Sequence, residues 1–179
     1  MTSLMDVLKE QASFAFTGKV NVLLQSTGQF LGVIYQSEGV IVGAQFLQYV
    51  EKKALFKMIF EDVDSHNKYK FVVEPEVISE DKHTFKLHFE DLKKEAEAYY
   101  SRYQASTKLR PAPNLKLVIA PEIIVNNLAL SPNEYDVLSI LAEWCTVSDI
   151  YKYSKLMEFE VTDALVSLRK KRAIKVFGS

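Results

Sequence analysis

One cysteine in 179 residues, Cys145, leaves this chain no intramolecular disulfide and points to a reducing compartment. An excess of one charge is missing as well. Twenty-two basic residues against 23 acidic ones give a formal net of −1, so there is no bulk electrostatic pull toward nucleic acid or an anionic membrane. No apolar run approaches the roughly 18 residues of a membrane span, and the N-terminus lacks the basic-then-apolar pattern of a secretory leader. These absences read as a cytoplasmic protein with no membrane partner. No phosphate-cradling glycine loop, metal cluster or catalytic triad can be traced either, which argues against an enzyme and against a bound cofactor.

What the chain does have is apolar mass. Hydrophobic residues make up 48% and aromatics 12%, ample for one medium domain or two small ones. Five of the six glycines fall between Thr17 and Gln45, punctuating β-branched runs where tight antiparallel turns belong. Leu4, Val7 and Leu8 at helical spacing, with Ser3 as cap, predict a helix over 3–12. Phe16–Gln25, Gln29–Gln36 and Val40–Phe46 read as strands, joined at Ser26-Thr27-Gly28 and Ser37-Glu38-Gly39. From Leu47 to Phe60 the period becomes helical, with Val50, Ala54, Leu55, Met58 and Ile59 on one face. Tyr69–Glu74 is a further strand stopped by Pro75. Thr84–Phe89 shows a period-2 pattern that a strand or a helix could claim. Asp91–Gln104 is a charged helix with a narrow stripe of Leu92, Ala96, Tyr99 and Tyr103.

Four of the five prolines lie in 107–132, so 107–130 is expected to connect two domains, 1–106 and 131–179, with one short strand at Lys116–Ile119. Ser131-Pro132-Asn133-Glu134 combines a capping serine, proline at the first helical position and a glutamate three residues on. Tyr135, Leu138, Leu141 and Ala142 are its expected apolar face. A second helix spans Val147–Tyr153 from a start near Thr146. A third covers Glu158–Lys171 with Val161, Ala164, Leu165 and Leu168 inward, and Ala173–Phe177 closes as a strand.

Isolated chemistry-bearing residues find no partners in this pattern. His83 and His88 stand near Asp81 and Glu90 without a helical pairing, and His66 stands apart from both. Cys145 beside Trp144 reads as a small packed hydrophobe. Glu74-Pro75-Glu76 and Glu158/Glu160 are neighbours in sequence only.

The first half resembles the PATAN-type bacterial signalling domain, over roughly residues 4–75. The pieces carrying the resemblance are Thr17-Gly18-Lys19-Val20-Asn21-Val22, Gly32-Val33-Ile34-Tyr35 and Gly39-Val40-Ile41-Val42-Gly43-Ala44, then Ala54 and Tyr69-Lys70-Phe71-Val72-Val73; Tyr35 comes one residue earlier than the pattern has its aromatic. The tail from Leu130-Ser131 to Phe177 resembles a winged-helix unit, whose wing would need a strand from the N-terminal side to be complete. The pairing implies a non-enzymatic adaptor in bacterial signalling, with a response regulator or a small GTPase as partner.

An α+β fold follows from this reading: an antiparallel sheet domain with packed helices and a C-terminal winged-helix unit. Tyr100 and Arg102, on the two shoulders of the Leu92–Tyr103 stripe, are the candidate partner-binding residues, because Tyr and Arg are enriched at interfaces. A sheet edge is a second candidate surface. The runner-up reading is a DNA-binding regulator acting through the C-terminal unit. That reading is disfavoured by Glu158, Glu160 and Asp163 on the leading turns of the would-be recognition helix, where basic and amide groups belong. From Ser131 onward seven basic residues, four of them in Arg169–Arg172, face seven acidic ones.

Overall fold

The structure, a computed structural model, describes residues 3–65, 67–121, 123 and 128–177. It is an α+β protein whose chain divides into two compact units, Met1–Tyr100 and Ser101–Ser179. Among the described residues no helix is long and apolar enough to cross a membrane.

The first unit opens with α1 (Leu4–Ser13), started by a capping box: the Asp6 N–H donates to Ser3 Oγ at 3.1 Å and the Ser3 N–H to Asp6 Oδ2 at 3.1 Å. Five antiparallel strands follow: β1 (Gly18–Leu24), β2 (Phe30–Ser37), β3 (Val40–Phe46), β4 (Tyr49–Val50) and β5 (Tyr69–Pro75). Their order across the sheet is β4-β3-β2-β1-β5. Register places Val20 opposite Ile34 and Ile34 opposite Ala44, so these side chains share one face and all three are buried. Extra residues at Leu31 in β2 and Val42 in β3 break the pairing. Such bulges bend the strand locally, and Ile41, Val42 and Ala44 are consequently all buried.

Helix α2 (Glu51–Asp64) lies against β3 and buries Ala54, Leu55, Phe56, Met58, Ile59 and Phe60. Full burial of Phe56 or Leu55 contributes about 1.5–3 kcal/mol each. Two expectations shift here. The helix begins at Glu51 because Leu47-Gln48 turns the chain back and Tyr49 pairs with Phe46 in β4. Val50 therefore ends a strand, 56% exposed, where the helical pattern had put it inward. Over 84–89 no strand forms. Leu87 makes a single bridge to Ile41, and the N–H groups of Thr84 and Phe85 both donate to the Val42 carbonyl. The bulge at Val42 turns the β3 edge away from regular pairing, although Leu87 is buried between exposed Lys86 and His88 as the period-2 pattern asks.

Helix α3 (Phe89–Thr107) buries Leu92 and Ala96 and half-buries Tyr99 and Tyr103. The unit boundary falls inside it, at Tyr100/Ser101.

In the second unit, β6 (Leu117–Ile119) and β7 (Ile174–Val176) pair antiparallel, with Leu117 opposite Val176. On the other side of β6, the Leu117 N–H donates to the Cys145 carbonyl at 2.7 Å and the Val147 N–H to Leu115 at 3.0 Å. Part of the stretch expected as connector is thus a strand of this unit, because β7 needs a pairing edge and β6 provides one. Among the described residues the helices of this unit include α4 (Pro132–Leu141), α5 (Val147–Tyr153) and α6 (Glu158–Lys170). Ser131 caps α4 and Thr146 caps α5. Val137, Leu138, Ile150, Val161, Leu165 and Leu168 form the core. Tyr135, expected on the inner face of α4, is 67% exposed; Glu134 and Val137 take that face instead.

Candidate functional site

Helices α1, α2 and α3 enclose a groove of about 430 Å³ in the first unit. Each helix presents residues one turn apart to it: Met5 and Lys9 from α1, Ile59, Phe60 and Val63 from α2, and Phe89, Lys93, Ala96 and Tyr100 from α3. Ile59, Phe60 and Ala96 are buried at its floor, whereas Val63 stands 42% exposed. The rim carries both charge signs, with Asp6, Glu90 and Glu97 beside Lys9 and Lys93.

Polar links hold the walls in place. The Leu4 N–H donates to Asp62 Oδ2 at 2.8 Å, joining the start of α1 to α2. Lys52 and Glu95 pair at 3.2 Å between α2 and α3. Behind them, α2 is tied to β5 through Glu61, which accepts from the Tyr69 hydroxyl and pairs with Lys68 at 3.1 Å and Lys57 at 3.4 Å. Burial pushes the Glu61 pKa up, but the Tyr69 and Lys68 hydrogen bonds outweigh it and hold the carboxyl below its ordinary value.

Of the two candidate partner-binding residues, Tyr100 lines this groove. Its ring lies 5.5 Å from Phe60 and its hydroxyl donates to Asp64 at 2.7 Å, so it is half-buried and oriented rather than swinging in solvent. Arg102 belongs to the second unit. Its guanidinium lies 4.4 Å above the Phe159 ring and pairs with Asp163 at 3.2 Å. Arg110, past the end of α3, makes a similar arrangement, 4.1 Å over Tyr151 and 3.0 Å from Glu158. Two of the three carboxylates on the leading half of α6 are thus paired inside the unit, and the third, Glu160, accepts the Met157 N–H at 3.0 Å. Met5, Lys9 and Val63 escaped the sequence reading because the groove exists only once three helices pack. The one local signal was Val63, an apolar residue off the inward face of α2.

His83 and His88 are both exposed, and His66 lies outside the described residues. Cys145 is exposed, where packing had been expected; its carbonyl, not its thiol, is engaged, by Leu117. Among the described residues no three His, Cys, Asp or Glu side chains gather as a metal site would require. No known protein-family model, curated protein or solved structure matches this chain.

Proposed function

We propose that this chain is a non-enzymatic protein-interaction adaptor, and that the α1–α2–α3 groove receives an amphipathic segment of a protein partner. The observation that carries the reading is the groove's make-up: a buried apolar floor under a rim of mixed charge, with Tyr100 fixed at one end. Helix-in-groove recognition uses that combination, apolar anchors below and ionic register above. A mixed-sign rim suits a polypeptide, which can offer both charges at set spacing. The resemblance to PATAN-type and winged-helix units adds a setting in bacterial signalling, with a response regulator or small GTPase as the partner class. Duplex DNA is the weaker alternative, since the leading turns of α6 offer a backbone phosphate carboxylates already committed to Arg102, Arg110 and the Met157 N–H.

The test is quantitative capture of partner from native-cell extract by the immobilised chain, comparing the wild type with Val63→Lys and Tyr100→Ala. Val63 is partly exposed, so its replacement should leave the fold intact, as circular dichroism would verify. The proposal expects capture of the same protein to fall at least tenfold with Val63→Lys. Equal capture by wild type and both variants would overturn it.

A further inference from the structure

The second unit carries a groove of different character, about 570 Å³, between α6, β7 and the stretch 109–117. Its walls are apolar, with Leu109, Leu165, Val166, Ile174 and Val176 among them. Among the described residues its charged lining side chains are Arg110, Arg169 and Lys175, with no carboxylate. Arg110 is committed to Glu158 and Tyr151. Arg169 is exposed and makes no ion pair among the described residues. Cations at a helix C-terminus complement the macrodipole wherever they point, and Lys171 serves locally by donating to Glu134 and to the Ala129 carbonyl. Neither explanation accounts for Arg169, an exposed guanidinium with no counter-charge among the described residues, at the mouth of an apolar trough of ligand size.

We propose that this groove binds an amphiphilic carboxylate, its acyl chain lying along Leu165, Val166 and Val176 and its head group on Arg169. A planar guanidinium offers a carboxylate two parallel N–H donors, a fit that a lysine ammonium does not reproduce. Charge complementarity selects this occupant: a cationic or neutral amphiphile would gain the apolar contact and leave Arg169 without its counter-charge. The site is independent of the α1–α2–α3 groove, and its residues all lie in the other unit.

The probe is dodecanoate, titrated below its micelle-forming range into the isotopically labelled full chain, with amide shifts followed by NMR. Shifts should cluster at Leu109, Val166, Ile174 and Val176 and saturate. Arg169→Glu should weaken the apparent affinity at least tenfold, and Arg169→Lys should fall between the two. Dodecyltrimethylammonium, matched in chain length, should bind far more weakly than dodecanoate. The proposal fails if shifts scatter over both units or do not saturate. It fails equally if Arg169→Glu binds as the wild type does, or if the cationic probe binds as tightly. Val166→Asp is a second variant, on the apolar wall, whose unchanged affinity would also overturn it.

Discussion

Replacing Gly39 with alanine should cost this protein about 2–5 kcal/mol, and the structure shows why. Ser37 and Val40 pair directly across the β2–β3 hairpin, so Glu38 and Gly39 form a two-residue turn. Both have positive φ, +52° and +78°, as the primed hairpin turn requires to match strand twist. An L residue in this region pays roughly 1–2 kcal/mol. A second cost comes from packing. A Cβ on Gly39 would sit 2.8 Å from the Ala12 carbonyl oxygen and 3.2 Å from the Cα atoms of Ala12 and Ala15. All three are backbone atoms, so relief means shifting the end of α1 away from the turn. The turn cannot yield instead, because the Gly39 N–H donates to the Phe16 carbonyl at 2.8 Å and the Glu38 N–H to Thr17 Oγ1 at 2.9 Å. Overpacking of this kind typically costs about 1–3 kcal/mol. Urea unfolding followed by far-UV circular dichroism reads the loss as a lower midpoint at constant slope. Glu38→Asn is the control: it keeps the left-handed backbone with a better-suited residue and should be neutral or stabilising by up to about 1 kcal/mol. An unchanged midpoint for Gly39→Ala, or equal damage from both variants, would refute the turn argument.

Stability of the second unit should depend on acid pH through Glu134. Burial pushes its pKa up, yet the Lys171 ammonium, the Ser131 N–H and the Ser167 side chain outweigh this and bring it down to about 2. A depressed folded pKa stabilises above the unfolded value and is lost as pH falls through the folded one. About 3 kcal/mol should therefore be present at neutral pH and disappear between roughly pH 4.5 and 2. Fluorescence of Trp144, the chain's sole tryptophan, is the probe; in Glu134→Gln that part of the pH dependence should vanish, and its persistence would contradict the assignment. Gly43→Ala should loosen the 76–87 stretch selectively, because its Cβ would stand 2.2 Å from the Lys82 carbonyl oxygen. Hydrogen exchange should speed up for the Thr84, Phe85 and Leu87 amides, which bond to β3, and unchanged exchange there would count against that close approach.

Legibility from sequence followed the range of the forces. Helix starts at Ser3, Ser131 and Thr146 were readable because a capping hydroxyl accepts from the N–H of the residue three places on. The inward face of α6 was readable because Val161, Ala164, Leu165 and Leu168 need only helical periodicity. The three central strands were readable from β-branched alternation between glycines. What escaped depends on contacts distant in sequence. Thr84–Phe89 stops at one bridge because of the bulge at Val42; the two-residue strand Tyr49–Val50 is a local exception, turned back on Gln45 and Phe46 by Leu47-Gln48. β6 was expected as an isolated strand, and its place between 145–147 and β7 could not be seen locally. That exposed Arg102 pairs with Asp163 and stacks on Phe159 was not legible, because both partners lie far along the sequence in α6. The groove has no sequence signature, since its walls come from three helices spread over residues 5–100.

The central claim, that the α1–α2–α3 groove receives a protein partner, is tested most directly by site-specific photo-crosslinking in the native cell. A photoreactive amino acid is placed in turn at Lys9, Val63 and Lys93 around the groove, and at Val77, which is 91% exposed and lines no part of it. The account predicts one covalent protein adduct of the same mass from the three groove positions and none from Val77. No adduct from any groove position, or the same adduct from Val77, would contradict it.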